Sequence, residues 1–111
     1  MAKFVKGDVV VIPFPFSDLS QSKRRPALVL TPLEGDDSIL CQITSKNIKD
    51  IYAISVDDAD FQSGGLKQAS NIRPNRLFTA DVHILLYRVG TIKKDKMNQV
   101  ISKVVEIIQA G

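Results

Sequence analysis

At 111 residues, 44% of them hydrophobic, the chain has the length of one domain and apolar mass for one core, which excludes a disordered tail or two domains. Its single cysteine, Cys41, rules out an internal disulfide and fits a reducing cytoplasm; no apolar run nears the ~20 residues of a membrane span, and no signal peptide is expected. A net charge of +3 selects no partner by itself.

In chain order, Val9-Val10-Val11-Ile12 reads as a buried strand ended by Pro13 and Pro15, which cannot donate to a ladder. Phe14 to Arg24 lacks periodicity and reads as a long loop. Ala27 to Thr31 is a second strand closed by Pro32. Ile39 to Ile43 is a third, with Ile39, Cys41 and Ile43 on one face and Leu40 and Gln42 on the other. Tyr52 to Val56 is a fourth. A Gly64-Gly65 turn precedes short strands around 70–72 and 77–79, and Leu85 to Ile92 is another strand. Met97, Val100, Ile101, Val104 and Ile108 then recur at spacings of three and four, predicting an amphipathic helix from about Lys94 to Gln109. Short strands followed by one helix predict a mainly-β or α+β fold: a small antiparallel barrel with a C-terminal helix packed against it.

Charge is segregated along this pattern. Acids gather at 34–37 and 57–60, bases at Lys23-Arg24-Arg25, at Lys46 and Lys49, and at Arg73 and Arg76. Basic loops on a weakly basic domain fit polyanion binding, and an ordinary solvated surface equally well. The segment from Lys23 to Leu30 is more informative. Pro26 restricts Arg25 to an extended conformation at the mouth of the second strand. If strands two and three form a hairpin symmetric about Gly35, Pro26 faces Thr44 and Arg25 faces Ser45. An arginine fork and two hydroxyls at one hairpin end suit a phosphodiester, because the fork matches phosphate oxygens and the charge growing on a pentacoordinate phosphorus. A solvated arginine opening a strand, and Thr-Ser closing one, explain the same spacing without chemistry.

The opening from Gly7 to Asp18, the run Lys23-Arg24-Arg25-Pro26-Ala27-Leu28-Val29-Leu30, the triplet Ile43-Thr44-Ser45 and the stretch from Ser70 to Thr79 together resemble MazF/PemK toxins. The resemblance covers nearly the whole chain and implies a single domain over 1–111. It implies an SH3-like barrel, a homodimer, and metal-independent, sequence-selective cleavage of single-stranded RNA in the cytoplasm. It also implies inhibition by a cognate antitoxin, with DNA binding by the toxin–antitoxin complex, no membrane association and no cofactor. By position, Arg25 matches the family's catalytic arginine, Thr44 its phosphate-contacting threonine, and Arg73 a second active-site arginine. Lys23, Arg24, Ser45, Asn75 and Arg76 are candidate RNA contacts beside them. Two acids depart from the pattern: Ser20 stands where many relatives carry glutamate, and Asn75 where PemK-type relatives carry an acid. Asp18, in the same loop as Ser20, is a possible general base, or an ordinary turn acid.

Other chemistry has little support. His83 is the only histidine, so a two-histidine ribonuclease is excluded. Cys41 lies alone in mid-strand, and no metal-ligand cluster is expected. Gly64-Gly65 lacks the neighbours of a phosphate loop. Phe14 and Phe16 flank the basic loop, placed to stack on bases or to pack in the core. Two alternatives stay open: a noncatalytic barrel of the same shape that binds nucleic acid or protein, and a gyrase-directed toxin of the same fold.

Overall fold

A computed structural model describes residues 4–14, 23–46 and 49–110, the Phe14 side chain excepted. Every residue of Val9-Val10-Val11-Ile12 is buried, as expected of a β-branched run covered on both faces. Val9 joins a cluster with Leu28, Cys41, Ile43 and Ile72, while Val10 and Ile12 join a second with Ala27, Val29 and Leu40. Each fully buried Val, Leu or Ile contributes about 1.5–3 kcal/mol, so the strands carrying them form the centre of the sheet.

The antiparallel barrel with a terminal helix expected from the sequence is present, as seven strands curled into a half-barrel among the described residues. The strands are β1 (Asp8–Phe14), β2 (Lys23–Pro32), β3 (Asp37–Thr44), β4 (Ile54–Val56), β5 (Phe61–Gly64), β6 (Ser70–Asp81) and β7 (Tyr87–Ile92). They lie in the order β4-β6-β3-β2-β1-β7-β5, every neighbouring pair antiparallel. Helix α1 (Lys94–Gln109) caps the first cluster with Met97 and Val100 buried, and with Ile101 and Val104 packed alongside. Ile108, expected on the same stripe, is 67% exposed.

Several boundaries differ from the sequence reading, each for a local reason. β1 runs through Pro13 to Phe14; its pairing with β7 stops at Val11, so the missing N–H of Pro13 loses no bond there. Opposite those residues, Lys23 and Arg24 are strand rather than loop. β4 starts at Ile54, because Tyr52 and Ala53 close a turn on Asp50. β5 was not expected, four residues being too few to show alternation. The two short strands near 70–72 and 77–79 are one strand, β6. Arg73 faces Gln42 and Leu77 faces Cys41, so Pro74, Asn75 and Arg76 fall out of the ladder between them, Pro74 buried and the other two exposed. β7 starts at Tyr87, since Val82–Ile84 form a 3₁₀ turn capped by Asp81.

The core also fixes the state of the lone thiol. Cys41 is fully buried, and burial pushes its pKa up to about 12. A buried neutral thiol is unreactive. The native protein is expected to resist iodoacetamide at neutral pH and to be alkylated only in denaturant. Rapid native labelling, read by mass spectrometry, would show that the inner face of β3 is open.

Candidate active site

The β2–β3 hairpin sets the geometry. Beside its turn, Thr31 faces Ile39 and Pro32 faces Ser38, as symmetry about Gly35 requires, and Gly35 takes a φ of 81°. A bulge at Leu30 then slips the register by one residue, so Val29 faces Leu40, Leu28 faces Cys41 and Ala27 faces Gln42. The pairing ends at Ala27–Gln42, so Arg25 lies two residues beyond it on β2 and Thr44 two residues beyond it on β3, at the same end of the sheet, whereas symmetry about Gly35 would pair Ala27 with Ile43. On its other side Arg25 lies opposite Ile12 of β1. Its side chain is half-buried, whereas Lys23 and Arg24 are exposed.

Directly paired residues of an antiparallel sheet point to the same side, and successive residues alternate. Arg25 therefore shares its face with Ala27, Gln42 and Thr44. Gln42 pairs with Arg73, Thr44 with Asn71, and Asn71 with Ser55. One end of one sheet face thus carries Arg25, Gln42, Thr44, Asn71 and Arg73, drawn from β2, β3 and β6. Lys23 alternates onto this face and Arg24 onto the other. Ser45 is exposed just beyond Thr44, and Asn75 and Arg76 are exposed in the β6 bulge. Asp18 and Ser20, with Phe16, lie outside the described residues.

Hydrogen bonds define what these groups can offer. The Thr44 Oγ1 accepts from the Lys46 N–H at 3.1 Å, which leaves its own hydroxyl proton free to donate. The Asn71 Nδ2 donates to the Lys46 carbonyl at 3.4 Å, drawing the start of the next loop over β6. Arg73 is held by an acid that sequence reasoning missed. Its Nε and Nη2 lie 3.2 Å and 3.1 Å from one oxygen, Oδ2, of Asp50. The other oxygen, Oδ1, accepts the Tyr52 N–H at 2.9 Å. The Tyr52 amide, helped by the hydrogen bond and charge of Arg73 and opposed by partial burial, holds the Asp50 carboxyl below the usual range. Asp50 lies in an irregular loop 23 residues from Arg73, and only the β3–β6 register joins them. The sole local signal is an Asx turn, Asp50-Ile51-Tyr52.

Two guanidinium groups, a donating hydroxyl and a side-chain amide at one end of one face are donors of the kind that suit an anion such as a phosphodiester. At the opposite end of β3, Asp36, Asp81 and His83 bring possible metal-ligand atoms within 4.8 Å of one another. No such cluster is expected from the sequence; these three residues meet through the hairpin turn and the end of β6. His83 is 70% exposed, and its Nδ1 sits 2.5 Å from Asp81. The backbone amide of His83, then its side chain, hold the Asp81 carboxyl low. This cluster is remote from Arg25 and Thr44.

The whole architecture recurs in solved structures. A mycobacterial endoribonuclease in complex with its cognate antitoxin superposes with a TM-score of 0.76 at 11% identity, covering 98% of both chains. MazF from Deinococcus radiodurans gives 0.76 at 19% identity over 98% of this chain and 99% of its own. The Mycobacterium tuberculosis toxin MazF-mt6 gives 0.72 at 16% identity over 92% and 96%. The fold is therefore MazF-like. No curated protein matches by sequence. The family model described as "PemK-like, MazF-like toxin of type II toxin-antitoxin system" matches residues 5–108, and the chain belongs to that family.

Proposed function

We propose that this toxin is a metal-independent endoribonuclease that cleaves single-stranded RNA at selected sequences, acting in the cytoplasm as a homodimer restrained by a cognate antitoxin. The observation that carries the reading is that the Ala27–Gln42 and Gln42–Arg73 pairings gather Arg25, Thr44 and Arg73 at one end of one sheet face. RNA supplies the nucleophile. Its 2′-oxygen attacks the adjacent phosphorus, the bond to the 5′-oxygen breaks, and a 2′,3′-cyclic phosphate and a 5′-hydroxyl result. The 2′ proton passes to a base, for which Asp18 is the candidate, and a proton reaches the leaving 5′-oxygen. Arg25 stabilises the charge gathered on the equatorial oxygens, and the Thr44 hydroxyl donates to one of them. Lys23, Ser45, Arg73, Asn75 and Arg76 contact flanking phosphates and bases; Arg24, on the other face, contributes field rather than contact. In this reading no metal is called on, because the RNA carries its own nucleophile and Arg25 meets the developing charge.

Two further observations support the partners. The relatives of like fold include an endoribonuclease solved with its antitoxin. Leu77, Val105 and Ile108 also leave apolar side chains exposed beside α1, the kind of surface that protein partners cover. Among the described residues no helix is long and apolar enough to cross a membrane.

The test is incubation of the purified chain with a long unstructured RNA in EDTA. Cleavage at a few sites, leaving cyclic phosphate ends, is the expected result. Its complete absence would favour a noncatalytic binding barrel. Sedimentation of the same preparation should give twice the chain mass, and a concentration-independent 12.3 kDa would remove the dimer.

A further inference from the structure

Resting on that reading, we infer that Asp50 is a positioning residue of the reaction: it fixes the Arg73 guanidinium so that one edge faces the RNA phosphate. The geometry is one-sided. Nε and Nη2 of Arg73 both turn to Oδ2 of Asp50, at 3.2 Å and 3.1 Å. That pairing uses the side edge of the fork and leaves the Nη1 hydrogens and the outer Nη2 hydrogen for a second acceptor. Arg73 pairs with Gln42, next but one along β3 from Thr44, so its side chain rises from the face that carries Arg25.

Asp50 is built to hold still. Its Oδ1 is tied to the Tyr52 amide, and its own carbonyl accepts the Ala53 N–H at 3.1 Å. Side-chain exposure is 8% for Asp50 and 21% for Arg73. The other carboxylate–cation pairs among the described residues each leave a partner more open or stand farther apart, as in Lys103–Glu106 at 3.5 Å with Glu106 69% exposed. A carboxylate that already accepts from Tyr52 and Arg73 is ill placed to take the 2′ proton. It is well placed to orient a cation. Asp50 also carries a negative charge near the phosphate, so it opposes RNA binding while aiding the aligned transition state. These opposite signs give the test its discrimination.

The measurement is single-turnover cleavage of a long unstructured RNA over a series of protein concentrations, giving a maximal rate and a half-saturation point, with melting temperature on the same samples. Asp50→Asn keeps an oxygen for the Tyr52 amide and removes the charge. Its maximal rate should fall roughly 10- to 100-fold, the scale of a misaligned group, while half-saturation stays level or improves. In an Arg73→Ala background the same change should add nothing, since no fork remains to orient. An unchanged rate in Asp50→Asn, or a rate lost in step with RNA affinity, overturns the positioning role. If Asp50→Asn does not fold, Asp50→Glu keeps the charge and shifts it by one methylene. A lower rate at unchanged half-saturation then supports the role, and full activity overturns it. A parent protein that cleaves no RNA ends the nuclease reading and this inference together. An active parent beside an equally active Asp50→Asn ends only the inference.

Discussion

With Arg25 changed to alanine, RNA cleavage is expected to slow by roughly 10²–10³-fold, the size of effect seen when one preorganised donor to transition-state charge is lost. The fork is useful because it is fixed before the reaction. Pro26 holds the Arg25 backbone extended, β1 presents Ile12 beside it, and the half-buried stem restricts its motion. Lysine at position 25 should restore little, since an ammonium cannot make the paired contacts of a planar fork. Thr44→Val should also be costly and Thr44→Ser mild, because the hydroxyl proton left free by the Lys46 amide is what valine removes. Arg24→Ala is the internal control. Its side chain alternates to the other face, so it should weaken RNA binding and flatten the salt dependence, with the maximal rate retained. All these positions lie at the sheet's open end, where substitutions usually change stability by under about 0.5 kcal/mol. Rates and melting curves from the same preparations decide the matter: a folded, fully active Arg25→Ala protein would end the catalytic assignment.

The central strands and the helix were legible because burial writes itself into composition. A β-branched run such as Val9 to Ile12 has few places to go except between two layers, and the three–four spacing of Met97, Val100, Ile101 and Val104 marks one face of α1. The site was legible only in part, because register is a collective property. Symmetry about Gly35 gave the turn correctly, yet the bulge at Leu30 slips the register by one residue, so that Ala27 faces Gln42 instead of Ile43. Nothing in Leu28-Val29-Leu30-Thr31 announces a bulge, since any of these residues sits comfortably in a regular ladder. The Asp50–Arg73 pair was further out of reach. It depends on a loop turn and on the three-residue bulge that sets Arg73 against Gln42, so its partners carry no shared spacing. Asp18 lies outside the described residues, and its part in the reaction stays with the proposal.

Gly90→Ala is expected to destabilise the fold by about 2–4 kcal/mol, from overpacking together with partial release of a buried aromatic ring. β5 has only β7 for a neighbour, and the two strands meet glycine to glycine, Gly64 against Gly90. A Cβ on Gly90 would stand 2.6 Å from the Ser63 carbonyl oxygen, 2.9 Å from the Gly65 nitrogen and 2.8 Å from the Phe61 ring. Two of those neighbours are backbone and cannot swing aside, so β5 must move and loosen Phe61, which is 7% exposed in the helix-side core. Gly64 carries the same crowding, 2.1 Å from the Val89 oxygen, with a φ of +67° besides, so Gly64→Ala should be worse. Gly35 separates the two causes. At a φ of +81° with nothing within 4 Å, Gly35→Ala should lose only the left-handed preference, about 1 kcal/mol. For a domain of this length each kcal/mol lowers the melting temperature by about 4 °C. Gly35→Ala should then melt a few degrees below the parent, Gly90→Ala roughly 8–16 °C below, and Gly64→Ala lower still. Cleavage measured well below these midpoints should survive in Gly90→Ala, because β7 and β1 stand between β5 and the strand that carries Arg25. Should Gly90→Ala melt with the parent, β5 does not approach β7 this closely and the edge of the half-barrel is wrongly drawn.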